Sequence, residues 1–242
     1  GGVVKGSMAI NIPRLLFRGV LGRRLPLTEG MLEVSGIHQP VLIRRDRYGI
    51  PYIEAQNDAD AWYALGFCQG QDRAFQIEIR CRAVRGTLSA LIGPDTLPID
   101  RLSRRLGLRD VSERQLEVCD PETLRMLEAF TRGVMDGATL GSSRLAHEFV
   151  LLGATPTPYQ PADALGGLKL LSIAMPSNWG AELVRLKVLL EDGPEALKAL
   201  DPAYPDWLPV TSPPGALAGP ALDRLMEDLT LFMEAVGPGA GS

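Results

Sequence analysis

Between Met31 and Ala55 (MLEVSGIHQPVLIRRDRYGIPYIEA) apolar and polar residues alternate through Leu32, Val34, Val41 and Ile43, and again at Tyr52 and Ile53. A period of two puts successive side chains on opposite faces of a strand, and Gly36, Gly49 and Pro51 supply the turns, so this stretch predicts two or three strands. At Asp58 the period changes. From there to Gly93 (DADAWYALGFCQGQDRAFQIEIRCRAVRGTLSALIG) apolar residues recur at helical spacing, with Asn57 or Asp58 available as the cap. This predicts one long helix, or two separated near Gly66 to Gly70.

The rest of the chain reads as helices divided by punctuation. Asp120 caps a helix over Pro121 to Met135, with Pro121 at the first helical position, where its missing N–H costs nothing. Gly153 to Pro161 (GATPTPYQP) is a proline-rich loop. Helical text from Ala162 to Leu190 is interrupted at Pro176, with Ser177 or Asn178 as the next cap. Asp201 to Pro220 is too rich in proline for a continuous helix or strand and is either a crossing segment or a tether. A last helix, Gly219 to Val236, leads into GPGAGS, Gly237 to Ser242. Two or three strands fall short of a sheet of usual size, so they are expected to join a sheet supplied from elsewhere.

Composition narrows the function classes. The 242 residues are 45% hydrophobic, enough for a sizeable core, and the formal charge of -4 (25 basic against 29 acidic) gives no electrostatic reason for a nucleic-acid partner. Cys68, Cys81 and Cys119 are too few for a disulfide framework and lack metal-ligand spacing, so they read as buried thiols. His38 and His147 lie far apart, and no Ser/His/Asp set is visible. No apolar run reaches transmembrane length. Ile10 to Leu25 is basic and broken by Pro13 and glycines, unlike a signal peptide.

Val41 to Ala55 (VLIRRDRYGIPYIEA), Ala64 to Gly86 (ALGFCQGQDRAFQIEIRCRAVRG), Asp100 to Leu108 (DRLSRRLGL) and Ser177 to Arg185 (SNWGAELVR) resemble, in that order, the small-subunit signature of the penicillin acylase family of N-terminal-nucleophile hydrolases. The likeness continues through Glu148 to Pro161 and Asp201 to Pro205. It implies an α+β architecture, in which a mostly helical α chain contributes a few strands to a four-layer αββα sandwich formed with a separate β chain. Residues 1–25 are then an N-terminal arm, 26–236 the α subunit, and 237–242 a glycine-rich end at an autoproteolytic junction.

The resemblance also implies a mechanism. A serine attacks the carbonyl before it, and the ester so formed is hydrolysed. The freed serine carries both a hydroxyl and an α-amine, whose unperturbed pKa of about 8 suits it as the base, which accounts for the missing Ser/His/Asp set. Gly241 is then the residue before the scissile bond and Ser242 the catalytic candidate if it follows that bond; otherwise the nucleophile lies on the β chain. Met175 and Pro176 fall where relatives place residues at the mouth of the acyl pocket, the alternative for Met175 being ordinary helix packing. Glu182 matches the one small-subunit ligand of a structural calcium shared with the β chain, the alternative being a surface pair with Arg185 or Lys187. Gln71, Asp72, Arg73, Arg80 and Gly86 read as a half-buried ion-pair network. Tyr52 departs from the pattern, where histidine is more usual.

The partners so implied are a β subunit from the same precursor and a small-molecule acyl amide, such as a β-lactam side chain or an N-acyl homoserine lactone. No organic cofactor, nucleic acid or integral membrane association is expected. The family's usual compartment is periplasmic or extracellular, while the missing signal peptide leaves the cytoplasm open. The rival reading is a non-catalytic helical interaction module, or an acylase homologue that stays uncut.

Overall fold

The alternating stretch folds as one antiparallel hairpin, β1 (Leu42–Arg45) and β2 (Pro51–Glu54), with Ile43 opposite Ile53 and Arg45 opposite Pro51. Its turn is held by Asp46, whose carboxylate accepts the N–H groups of Tyr48 (2.8 Å) and Ile50 (2.9 Å), while Gly49 takes a positive φ of 82°. Residues 31–34 do not form the third strand. In this computed structural model, which describes residues 22, 24–175, 179–200 and 231, the segment before the hairpin is instead tied by an isolated bridge between Pro26 and Ser142. The expected last helix, the 201–220 segment, the GPGAGS ending and Pro176, Ser177 and Asn178 lie outside the described residues.

Helix α1 (Asp58–Arg85) follows, then a single turn α2 (Ser89–Ile92), a 3-10 turn (Pro94–Thr96), α3 (Leu97–Arg105), α4 (Leu108–Glu117), α5 (Pro121–Leu140), α6 (His147–Leu151), α7 (Pro161–Ala174) and α8 (Trp179–Leu200). Two compact units emerge, Gly1–Ile77 with Arg125–Tyr159 and Glu78–Leu124 with Gln160–Ser242. Gly66 and Gly70 do not break α1. Its irregularity is at Arg73 (φ -134°, ψ 23°).

In the first unit the two glycines serve a different purpose. A Cβ on Gly66 or Gly70 would come well under 3.0 Å from the carbonyl oxygens of Phe130 and Val134, and one on Gly133 or Gly137 equally close to those of Tyr63 and Phe67. A spacing of four keeps each pair on one helix face, so α1 and α5 meet backbone to backbone. Over this contact lies a core of Tyr63, Phe67 and Ala129, with Val34, Ile37 and Ile43 packed against it. Full burial of one such aliphatic or aromatic side chain contributes about 1.5–3 kcal/mol. Phe149, fully buried, meets Phe75 edge-on at 5.3 Å.

In the second unit α1 ends sooner than the periodicity predicts, at Arg85 and not Gly93. Gly86 takes a positive φ of 64°, Thr87 N–H reaches the Arg82 carbonyl (2.8 Å) and Gly86 N–H that of Ala83 (3.2 Å), the paired bonds that close a helix at glycine. The next turn is captured by the buried carboxylate of Asp100, which accepts the N–H groups of Leu88 (2.7 Å) and Ser89 (2.9 Å). Pro161, read above as loop, opens α7 at its first turn. Arg85 donates Nε (2.8 Å) and Nη2 (2.6 Å) to the two oxygens of Asp163, a bidentate pair joining the end of α1 to the start of α7.

Cys68 and Cys81 are buried as expected and Cys119 is half-buried, all as free thiols. Burial pushes the thiols of Cys68 and Cys81 up, which removes nucleophilic thiolate at neutral pH.

Replacing Gly133 with alanine is expected to lower stability by about 2–3 kcal/mol through overpacking. Gly167→Ala, where nothing lies within 4 Å of the new methyl, should raise it by about 0.5–1 kcal/mol. Urea unfolding of the two variants checks both signs.

Candidate functional site

The first unit carries a groove of about 640 Å³ between the segment preceding β1, β1 itself and the first half of α1. Tyr63 and Phe67 form its apolar floor; Thr28, Glu29, Glu33, His38, Gln39, Arg45 and Gln71 are its polar lining. Its wall is pinned by Asp60, in the first turn of α1. The side chain of Asp60 is 1% exposed, and it accepts bonds from His38 N–H (2.8 Å), Gln39 N–H (2.9 Å) and Asn57 Nδ2 (2.6 Å). Asn57 is the cap: its own oxygen takes the Asp60 N–H at 2.9 Å. The exposed ring of His38 stands 3.3 Å from the same carboxylate. Burial raises the affinity of Asp60 for its proton, but the bonds from His38, Asn57 and Gln39 outweigh this and hold the carboxyl below the usual carboxylate range.

A second polar knot closes the hairpin end of the groove. Arg45, with a side chain 11% exposed, donates to Asp72 (2.8 Å), the Gly49 carbonyl (2.8 Å) and Gln71 (2.7 Å). Gln71 in turn donates to the carbonyls of Leu27 (2.7 Å) and Gly141 (2.6 Å). Of the residues read from the sequence as one half-buried network, Gln71 and Asp72 join such a network, centred on Arg45 of β1, while Arg73 and Arg80 are exposed. Gly86 belongs to the helix ending described above, where its carbonyl accepts Arg104 Nε at 2.8 Å.

In the second unit Met175 stands at the C-terminal cap of α7, 72% exposed, in line with exposed Leu168 and Leu171 at spacings of three and four. It is no core-packing methionine among the described residues. Glu182, in the first turn of α8, is exposed and 3.9 Å from Arg185. Among the described residues no group of three or more His, Cys, Asp or Glu side chains could hold a metal ion. Calcium requires six to eight hard oxygen ligands, so the carboxylate of Glu182 is one donor and not a site. Pro176, Gly241 and Ser242 lie outside the described residues.

A family profile described as penicillin amidase matches residues 40–242, a range that includes the ordered blocks from 41 to 185. The chain belongs to the penicillin amidase family. It is 36% identical over 220 residues to the penicillin acylase 2 proenzyme of Pseudomonas sp. (strain SE83), a match covering 90% of this chain and 28% of that protein. It is 32% identical over 182 residues to the acyl-homoserine lactone acylase QuiP of Pseudomonas aeruginosa, covering 75% and 22%. The chain thus spans about a quarter of these relatives. The thermostable penicillin G acylase from Alcaligenes faecalis has a solved chain that superposes with a TM-score of 0.55 at 21% identity, covering 74% of this chain and all of the solved one. The likeness shows a shared fold, α-rich with one hairpin among the described residues. No helix among the described residues is long and apolar enough to cross a membrane.

Sequence reasoning passed over Asp60 and the groove. An acid in a first helical turn reads as a partner for the helix dipole, and only the return of residues 38 and 39 to that turn reveals a buried acceptor.

The folded-state pKa of Asp60 lies below its ordinary value of 3.8, so its contribution is present above that value and lost as pH falls through the folded one. Asp60→Asn is expected to lose about 1–3 kcal/mol at pH 7. The deficit relative to wild type should hold above about pH 5 and shrink below about pH 4. Unfolding curves across that range measure it.

Proposed function

We propose that this chain is the α subunit of a penicillin acylase-like amidohydrolase, which hydrolyses linear amides through an acyl-enzyme on the N-terminal serine of a β chain cut from the same precursor. The observation that carries the reading is the match over residues 40–242 to one family, together with the full coverage of a solved acylase chain by part of this one. The described chemistry agrees with a nucleophile outside the described residues. The buried thiols are held protonated, and the two histidine rings stand 3.3 Å from the Asp60 carboxylate and the Gly22 carbonyl.

In this reading the serine hydroxyl attacks the amide carbonyl and its α-amine takes the proton, then returns it to the leaving amine. Water next hydrolyses the ester. Ser242 is that serine if the precursor is cut after Gly241. Met175, Pro176 and the apolar line of Leu168 and Leu171 supply an acyl-facing wall, flexible at the thioether and suited to an alkyl or aromatic acyl group. Glu182 offers one carboxylate to a calcium whose remaining ligands come from the β chain. The metal's role there is to hold the two chains together, since a hard cation shared across a junction stabilises only the assembled form. The substrate class is a β-lactam side-chain amide, an N-acyl homoserine lactone or a similar acyl amide.

Intact-mass and N-terminal sequence analysis of the protein expressed from the whole precursor tests the reading. The expected result is a second, larger polypeptide beginning with serine and hydrolysis of an acyl amide; a single uncut chain without hydrolysis would overturn it. Met175→Ala should change the ratio of kcat/KM on long and short acyl substrates by about 10-fold, a methylene or two in an apolar pocket being worth that much. A uniform change on both would remove Met175 from the pocket. Glu182→Ala should abolish the fall in melting temperature that chelation causes in the assembled protein, and an unchanged chelator response would remove calcium from Glu182.

A further inference from the structure

Helix α7 is buried along its first half and open along its second. Ala162, Asp163, Leu165 and Gly166 are buried, whereas from Leu168 to Met175 no residue is. Two contacts fix the buried half. A Cβ on Gly166 would stand 2.4 Å from Val84 Cγ1 and 3.3 Å from Ser112 Oγ, so this glycine sets how closely α7 approaches the end of α1 and the side of α4. Asp163 sets its direction. Arg85 Nε and Nη2 bind its two oxygens at 2.8 and 2.6 Å, and the Gln160 N–H donates to Oδ2 at 2.7 Å. The Asp163 side chain is 5% exposed and that of Arg85 17%. Two parallel bonds between a planar guanidinium and a carboxylate fix an angle as well as a distance. Desolvation offsets much of the attraction in such a buried pair, so its geometry is more specific than its energy is large.

The open half acts as a lever on this anchor. At about 1.5 Å of rise per residue, Met175 stands about 18 Å along the axis from Asp163, so a tilt of about 5° at the anchor displaces it by about 1.6 Å. A misplacement of about 1 Å at a reacting site can cost about 10²-fold in rate. The residues at the moving end are Leu168, Leu171 and Met175, the exposed apolar line of the helix.

We propose that the Arg85–Asp163 pair is a positioning device for the acyl wall: it fixes the direction of α7, and through α7 the place of Leu168, Leu171 and Met175 against the acyl group. Both residues act from the buried end of the helix and touch no substrate. This rests on the reading that Met175 faces an acyl amide. It adds to that reading the pair that sets how the wall is presented.

Arg85→Lys keeps the charge and removes the two-pronged geometry. In protein expressed from the whole precursor it should change the ratio of kcat/KM on long and short acyl substrates by at least about 10-fold. Gly133→Ala, an overpacking change in the other unit, should leave that ratio within about twofold. With Met175→Ala already present, Arg85→Lys should move the ratio by no more than about twofold, because the side chain it acts through is gone. An equal fall on both substrates, a ratio that Gly133→Ala moves as far, or an effect that persists beside Met175→Ala overturns the proposal and leaves the acylase reading intact. A uniform effect of Met175→Ala alone removes the wall, and the proposal with it. If Arg85→Lys yields no active protein, Asp163→Asn, which keeps the shape of the side chain and one acceptor for Arg85, takes its place with the same expected change in ratio. Inactivity of both variants assigns the pair to folding alone and overturns the proposal. If wild type hydrolyses no acyl amide, both readings fail.

Discussion

Two helices that touch through their backbones set the geometry of the first unit. Gly66 and Gly70 on α1 face Phe130 and Val134 on α5, and Gly133 and Gly137 return the contact to Tyr63 and Phe67. No other side chain fits at these four positions. Because interiors are packed to near-crystalline density, such a contact has no slack, and it presents Tyr63 and Phe67 as a fixed floor. The Tyr63 hydroxyl adds to the hold by donating to Asp136 on the same helix pair. Everything laid on this floor takes its position from it.

What is laid on it is the segment from Leu27 through β1, and polar groups fix its course. Asp60 takes the amides of His38 and Gln39, and Gln71 binds Arg45, Leu27 and Gly141 together. Buried polar groups of this kind are effective because leaving one unpaired is costly, so each selects a single path for the chain. The outcome is a hairpin laid along a groove.

Several features were legible in the residues. The hairpin, the cap at Asp120 and the helix it starts follow from local spacing and from groups that act within a few residues: Asp120 accepts the N–H groups of Glu122 and Thr123 directly. Other readings failed where a distant partner decides. Gly66 and Gly70 look like helix breakers when α5 is out of view. The end of α1 at Arg85 follows from Gly86, whose backbone accommodates the positive φ, and from Asp100, fourteen residues further on.

Sequence alone determined the helical character, the strand text around the hairpin and the identity of the residues able to do chemistry, because these depend on residue type and short-range periodicity, and its ordered blocks carried the family resemblance. Tertiary structure decided which glycines are contacts and which carboxylate is buried. Those properties belong to pairs of segments brought together from far apart in the chain, and no local pattern records the pairing.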